Sequence, residues 1–180
     1  ASRGTSRDRA SIRPHFPILD TGIAYLDSAN TSQRPRQVTD AMLDYFQRYN
    51  SNIHRAAYKI AEEATERYEG TREKVRAFIN ASSTKEIIYT RGTTEAINLV
   101  AYSWGRKNIK KGDLIVLTIL DHHSNIVPWQ ILAAANGATI EYVDIDERGE
   151  LRLDQFHELL TRSPKLVAFS QVSNAPGTIN

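Results

Sequence analysis

The second half of the sequence alternates short apolar runs with longer amphipathic segments, and this alternation restricts the fold more than any other feature. Four runs have the length and apolar character of β-strands, and they span residues 86–90, 113–117, 139–143 and 165–171. Helical periodicity predicts three helices between them, over residues 94–104, 125–136 and 153–161. Strands that are nearly continuously apolar and separated by helices favour an α/β fold with a mostly parallel sheet and helices on both faces.

The first half of the sequence predicts a short strand at residues 23–26, followed by two helices. Pro35 suits the first turn of a helix over residues 35–49, which has Val38, Met42 and Phe46 on one face. The second helix is predicted over residues 58–79, with an apolar stripe of Ile60, Ala64, Tyr68, Val75 and Phe78. We therefore expect an N-terminal arm over residues 1–22 and a single domain over residues 23–180.

Composition excludes several functional classes. The net charge of +2 is small and the basic residues are interleaved with acidic ones, which argues against a nucleic-acid partner. No run of 18 apolar residues is present, so we expect no membrane span. The arginine-rich first ten residues lack the apolar centre of a secretory signal; a frayed terminus and a transit peptide are the alternatives. The absence of cysteine is compatible with a reducing compartment.

A first candidate site follows the predicted strand 86–90, where the segment Arg91–Gly92–Thr93–Thr94–Glu95 leads directly into a helix. Ligands of open parallel sheets bind at the carboxyl ends of the strands. Backbone N–H groups and two hydroxyls at the positive end of a helix dipole can bind an anion such as phosphate. The alternative is ordinary helix capping by threonine.

A second candidate site follows the next strand, in the segment Asp121–His122–His123–Ser124–Asn125. A histidine there can stack on an aromatic ligand or transfer a proton. Adjacent histidines point in different directions, so we expect no shared metal ion. The alternative is a loop without chemistry in which Asn125 caps the following helix.

Two further segments contain candidate ligand-binding residues. Asn174, after the last predicted strand, can offer its amide to a ligand oxygen, although Asn-Ala-Pro-Gly is also an ordinary turn sequence. His54 and Arg55 lie in the polar stretch between the first two helices. The arginine there can bind a carboxylate or remain solvated.

Taken together, these segments resemble the Suf-type cysteine desulfurases, which are pyridoxal 5′-phosphate enzymes of the class V aminotransferase-like group. The resemblance covers residues 12–178 and is carried by AYLDSANTSQRP, NIHRAAYKIAEEATERYEGTREKVRAFINA, RGTTEAINLVAYSWG, DHHSNIVPWQ and QVSNAPGT. The combination of RGTTEAINLVA with a double histidine and NIVPW is far more specific than any single segment. It implies the large domain of a fold-type I enzyme.

The resemblance also implies roles for individual residues. Thr93 and Thr94 would hold the cofactor phosphate, which agrees with the anion site inferred above. His122 would stack on the pyridine ring and assist proton transfer, and Asn174 would bind the ring oxygen. His54 and Arg55 would bind substrate near its entrance, for the chain itself or for the neighbouring subunit. Glu95 would help to order the dimer interface. The expected protein is a cytoplasmic homodimer that acts on L-cysteine and passes sulfur to a Suf-type acceptor for iron–sulfur cluster assembly.

Three departures from the family pattern bear on activity. Asp121 stands where such enzymes often have glutamate, and Asn30–Thr31 replaces a pair of small residues. The family's ring-nitrogen aspartate, Schiff-base lysine and persulfide-forming cysteine are expected beyond Asn180. We therefore predict that the 180 residues alone are inactive and that the chain is the N-terminal part of the large domain. The alternatives are another class V enzyme, such as a selenocysteine lyase or a carbon–nitrogen lyase, or a non-catalytic binding or dimerisation module. A nucleotide-binding Rossmann protein is disfavoured because no GxGxxG follows a strand.

Overall fold

A computed structural model describes residues 11–55 and 57–180 and divides the chain into two compact units that meet in sequence between Ile88 and Tyr89. The first unit contains two α-helices, α1 (Arg36–Asp44) and α2 (Lys59–Phe78). A π-helical turn, Tyr45–Tyr49, extends α1, so the predicted helix 35–49 is confirmed. The second predicted helix, 58–79, is confirmed as well.

The apolar stripes of α1 and α2 are only partly covered within the first unit. An open groove of about 840 Å³ is lined by the α1 stripe, by Ala64 and Tyr68 of α2 and by residues 51–53. Ala61 and Ala64 are buried, whereas Phe46 and Phe78 are exposed. Ala64 is thus the only member of the two predicted stripes that is buried among the described residues, and most of their large side chains remain accessible in this unit.

The second unit is an α/β arrangement built around three parallel strands, β1 (Leu114–Thr118), β2 (Thr139–Val143) and β3 (Leu166–Val167). The strand order is β2-β1-β3, with Leu114 opposite Thr139 and Ile115 opposite Leu166. Its helices are α3 (Thr93–Val100), α4 (Val127–Asn136) and α5 (Leu153–Thr161). A π-helical turn, Ala101–Gly105, and a last turn, Arg106–Asn108, extend α3.

Alternating side chains of β1 supply both halves of the core. Ile115 and Leu117 pack in one cluster with Trp129 and Leu132 of α4. Leu114 and Val116 point to the opposite face and pack with Leu159 of α5. Successive side chains of a strand point to opposite faces, so a strand that is apolar at every position requires cover on both sides. The predicted α/β fold with helices on both faces of a parallel sheet is confirmed.

Three of the predicted strands need correction. Residues 23–26 and 86–90 form no strand among the described residues, and β3 contains two residues where seven were predicted. Most apolar residues of the first two segments are exposed, with Leu26 93% and Ile88 68% accessible, although Ile87 is buried. An apolar run becomes a strand only where a neighbour accepts its backbone hydrogen bonds, and no described strand pairs with these segments.

Gly105 lies where the extension of α3 crosses α4. A Cβ atom at this position would lie 2.6 Å from Cδ2 of Leu132, whose side chain is buried in the core. We predict that Gly105→Ala destabilises the chain by about 1–2 kcal/mol, because overpacking outweighs the gain in helix propensity. Chemical denaturation measures this change.

Gly70→Ala provides the matched control, since Gly70 lies in α2 and a Cβ atom there would meet nothing within 4 Å. This variant should gain about 0.5–1 kcal/mol from helix propensity alone. Equal stabilisation by both substitutions would contradict the close approach of Gly105 to Leu132.

Within the described residues, none of the helices combines the length and apolar character needed to cross a membrane.

Candidate functional site

The N-terminus of α3 presents the two threonines of the first candidate site. Gly92 is the N-cap, and Thr93 and Thr94 are the first helical residues, with exposed side chains. No side chain caps this end of the helix, and among the described residues no acceptor binds the backbone N–H groups of Thr93 and Thr94. An N-cap residue lies just before the first helical residue, and in α3 that residue is Gly92. The alternative in which a threonine caps this helix is therefore wrong.

The space beside Gly92 is open. A Cβ atom built on Gly92 would meet nothing within 4 Å, and its φ of 163° is extended backbone that other residues also adopt. Local conformation alone therefore does not require glycine here. The donors at this helix end, two N–H groups and two hydroxyls, are those that bind a phosphate.

Glu95 forms hydrogen bonds with the loop that precedes α3. Its Oε2 accepts hydrogen bonds from the Arg91 backbone N–H at 2.6 Å and from Arg91 Nε at 3.2 Å. The side-chain hydrogen bond from Arg91, together with the backbone one, lowers the pKa of the Glu95 carboxyl below its usual value. The two side chains also form an ion pair, with 3.2 Å between Arg91 Nε and Glu95 Oε2.

A pH titration tests this contact. Because the folded pKa of Glu95 is lowered, its stabilising contribution is complete above the unfolded value of about 4.3 and is lost as the pH falls through the folded pKa. We predict that Arg91→Gln raises the pKa of Glu95 partway towards that value, since the backbone N–H still donates. NMR titration of the Glu95 side-chain carbonyl carbon measures the shift; an unchanged pKa would show that the Arg91 side chain does not contribute.

The loop after β1 is organised around the buried carboxylate of Asp121. Thr118 Oγ1 donates to its Oδ2 at 2.6 Å, and the Thr118 backbone N–H donates to the same oxygen at 3.3 Å. Asn125 Nδ2 and Ser170 Oγ donate to Oδ1 at 2.9 and 2.8 Å. Asn125 in turn accepts from Trp129 Nε1 at 3.0 Å, so it contacts Asp121 and α4 at once. The sequence marked Asn125 as a helix cap and missed this network.

His122 is the N-cap of the short 3₁₀ turn His123–Asn125, and its ring is exposed. The backbone N–H of Ser124 donates to His122 Nδ1 at 3.1 Å, so the neutral ring carries its proton on Nε2. The rings of His122 and His123 lie 6.1 Å apart with planes 80° from each other. Among the described residues no cluster of side chains is arranged to hold a metal ion.

The structure brings three of the candidate segments of the second unit together. The turn His123–Asn125 packs beside α3, and Ile97 and Ile126 cover the same core cluster. The third segment forms a hairpin in which Val172 pairs with Ile179, and Asn174 is exposed at its turn. The turn predicted for Asn-Ala-Pro-Gly is therefore present, and it leaves the Asn174 side chain accessible. Ser170, just before this hairpin, binds Asp121 of the neighbouring loop.

His54 and Arg55 belong to the first unit. His54 has a positive φ of 67°, its backbone N–H donates to Thr65 Oγ1 at 3.1 Å, and its Nε2 lies 3.3 Å from Glu69 Oε1. Positive φ is uncommon for residues other than glycine and is retained where surrounding contacts hold it. The His54 side chain is thus attached to α2, whereas Arg55 is exposed.

Comparison with known proteins identifies one family. The family model described as aminotransferase class-V matches residues 24–180. A cysteine desulfurase from Synechococcus elongatus is 51% identical over 177 residues, which is 96% of this chain and 28% of that protein. A probable cysteine desulfurase from Halalkalibacterium halodurans is 51% identical over 174 residues, which is 94% of this chain and 43% of that protein.

Solved structures agree with these sequence relatives. The apo structure of a cysteine desulfurase from Thermococcus onnurineus has a TM-score of 0.86 and 38% identity, over 99% of this chain and 43% of that one. A cysteine desulfurase from Escherichia coli has a TM-score of 0.80 and 36% identity, over 94% of this chain and 43% of that one. The chain thus spans less than half the length of each of these proteins.

Proposed function

This chain belongs to the aminotransferase class-V family, and we propose that it is the pyridoxal-phosphate-binding part of a cysteine desulfurase. The proposed reaction removes sulfur from L-cysteine, which leaves L-alanine and a persulfide on the enzyme. In this proposal residues 1–22, of which the first ten lie outside the described residues, are assigned to an arm, and residues 23–180 to the N-terminal part of the large domain. The relatives named above support the activity, and the uncapped N-terminus of α3 is the observation that carries the cofactor assignment.

The residues of the second unit fit the cofactor. In the proposal Thr93 and Thr94 bind its phosphate through their hydroxyls and free N–H groups, in the open space beside Gly92. His122 stacks on the ring, and its Nε2 proton faces away from the Ser124 contact and is available for transfer. Asn174, exposed at the hairpin turn, donates its amide to the ring oxygen. When bound, the cofactor supplies an electron sink for cleavage beside the substrate amine.

Substrate binding is assigned to the first unit. The exposed guanidinium of Arg55 can form two parallel hydrogen bonds with the carboxylate of L-cysteine. His54 is held in place by Thr65 and Glu69 beside it. We assign both residues to the substrate entrance, for the chain itself or for a second subunit. A homodimer, a cytoplasmic location and transfer of sulfur to a Suf-type acceptor for iron–sulfur assembly belong to the same proposal.

Ligand titration tests the cofactor assignment directly. Pyridoxal phosphate and pyridoxal, which lacks the phosphate, are titrated separately into the chain, and binding is followed by calorimetry and absorbance. We expect pyridoxal phosphate to bind at least about tenfold more tightly, because hydrogen bonds to a charged group contribute about 1.5–3 kcal/mol each. Equal affinities would overturn the phosphate site at α3.

A second measurement concerns turnover. The 180 residues contain no cysteine, so they supply no thiolate to accept sulfur. We predict that the chain with added pyridoxal phosphate releases neither alanine nor sulfide from L-cysteine. Alanine release by the 180 residues alone would contradict this prediction.

Borohydride treatment with the cofactor, followed by intact mass measurement of protein from its native source, complements this assay. A species far heavier than 20.3 kDa with one pyridoxyl group would support a larger working enzyme.

A further inference from the structure

The side chain of Asp121 forms hydrogen bonds with three segments of the second unit: the end of β1, the turn that precedes α4 and the segment after β3. Its carboxylate is buried and accepts four hydrogen bonds, from Thr118 Oγ1, the Thr118 backbone N–H, Asn125 Nδ2 and Ser170 Oγ. An ionised carboxylate is an acceptor only and has about four lone-pair positions, so these donors use its capacity. The network therefore has a defined polarity: every partner donates, and Asp121 accepts.

The network extends in both directions from this carboxylate. On one side, Asn125 accepts from Trp129 Nε1, and the Trp129 ring lies in the core with Leu117. On the other side, Ser170 accepts at its carbonyl from Asn180 Nδ2 at 2.8 Å, across the base of the hairpin that carries Asn174. One buried group thus connects the loop of His122 to the hairpin of Asn174.

His122 follows Asp121 directly in the chain and makes no contact with this carboxylate among the described hydrogen bonds. Its ring is oriented by Ser124 at Nδ1, within the same turn. Asp121 lies just before this turn and Asn125 at its end, and Asn125 Nδ2 donates to Asp121 Oδ1 across it. The orientation of the His122 ring therefore depends on a turn that the Asp121 carboxylate closes.

From this arrangement we propose that Asp121 is a positioning residue, which fixes the position of the His122 loop relative to the Asn174 hairpin. The proposal deepens the proposed function and rests on it only for the identity of the ligand. Asp121 touches no ligand itself; it acts through His122 and Asn174. A ligand that contacts both residues is bound tightly only when the two segments keep their relative placement.

Asp121→Asn is a sharp test because each carboxylate oxygen faces a group that can only donate. Oδ2 faces the Thr118 backbone N–H, and Oδ1 faces Asn125 Nδ2. Asn125 cannot turn its amide without losing the bond from Trp129 to its Oδ1. Whichever way the new amide is oriented, its NH₂ group meets a donor. Asp121→Glu keeps a carboxylate and provides the conservative comparison.

The experiment combines NMR of the labelled 180-residue chain with titration of pyridoxal phosphate. We expect Asp121→Asn to shift both the His122 ring nitrogens and the Asn174 side-chain amide, to mix the His122 tautomers, and to weaken cofactor binding about tenfold to a hundredfold. Asp121→Glu should lie closer to the native chain in all three. Leu153→Ala, which truncates an exposed side chain of the same unit, should leave both sets of signals in place.

A second variant keeps the test informative if Asp121→Asn does not fold. Ser170→Ala removes one donor and only the link to the hairpin, so it should shift the Asn174 amide and leave the His122 tautomer unchanged. If Asp121→Asn folds and moves neither residue, or only one of them, the positioning role is wrong; the same holds if Ser170→Ala leaves Asn174 unmoved. If both residues respond as expected but no form of the chain binds pyridoxal phosphate, positioning stands and the proposed function fails.

Discussion

Leu117→Ala is expected to lower the free energy of unfolding of the second unit by about 2–5 kcal/mol, the range observed for buried leucines truncated to alanine. Leu117 is fully buried in the central strand β1 and packs in the cluster that contains Ile109, Trp129 and Leu132. The cost has two parts: the lost transfer from water of three carbon atoms, the Cγ and two methyl groups, and a cavity that strands on both sides prevent from collapsing. Urea unfolding followed by tryptophan fluorescence measures it, since Trp129 lies in the same cluster.

Leu153→Ala provides a control with the same chemistry. Leu153 begins α5 in the same unit, but 60% of its surface is exposed, so we expect its truncation to cost less than about 1 kcal/mol. Comparable losses for both variants would mean that β1 is not the centre of the core. Because Thr118 follows Leu117 and donates to Asp121, we also expect Leu117→Ala to weaken cofactor binding, whereas Leu153→Ala should not.

Replacing both threonines of α3 by valine, Thr93→Val with Thr94→Val, is expected to weaken binding of pyridoxal phosphate by about two orders of magnitude or more. Valine keeps the branched shape of threonine and replaces only the hydroxyl, by a methyl group. Hydrogen bonds to a charged group contribute about 1.5–3 kcal/mol each, and each 1.4 kcal/mol is a factor of ten in affinity. Stability should change little, because both side chains are exposed and make no capping bond. Calorimetric titration gives the two affinities.

Two comparisons make this result specific. Affinity for pyridoxal, which lacks the phosphate, should be the same in the native chain and in the double variant. Thr161→Val removes a hydroxyl that donates to Glu158 O in α5, and it should leave the affinity for pyridoxal phosphate unchanged. A double variant that binds pyridoxal phosphate as tightly as the native chain would remove these threonines from the phosphate site.

Much of the fold follows from local patterns in the sequence. The helices over residues 35–49, 58–79 and 153–161 and the strand at Thr139–Val143 lie within a few residues of their predicted bounds. Helical periodicity, proline near a helix start and glycine after a helix end act within a few residues, so the sequence reveals them directly. Gly137 is an example: it follows α4 with a φ of 73°, and its N–H donates to Ala133 O.

Strand pairing was less predictable for a physical reason. Residues 86–90 and 165–171 have the composition of strands, but only Leu166 and Val167 pair with β1. A helix satisfies its backbone groups within one segment, whereas a strand requires a partner from elsewhere in the chain. The length of an apolar run therefore gives no measure of how much of it will be paired.

The residues of the candidate site were predictable from sequence, whereas the contacts that hold them were not. Its chemical groups, Thr93, Thr94, His122 and Asn174, were identified from sequence because each follows a predicted strand and because the segments together resemble one enzyme family. Chain order alone could not show that the N-cap of α3 is Gly92, or that Arg91 binds Glu95 beside it. Those contacts depend on where the helix begins, to within one residue.

The sequence by itself determined the kind of fold and the family, and it predicted which residues bind a phosphorylated ligand, since all of these depend on residue type and local spacing. Only the tertiary structure decided how those residues are held. Ser170 and Asp121 are 49 positions apart, and they meet because β3 pairs with β1 and brings the ends of the two strands side by side. Strand pairing sets such contacts through hydrogen bonds between backbones, which are the same for nearly every residue type, so the sequence around Ser170 carries no mark of them.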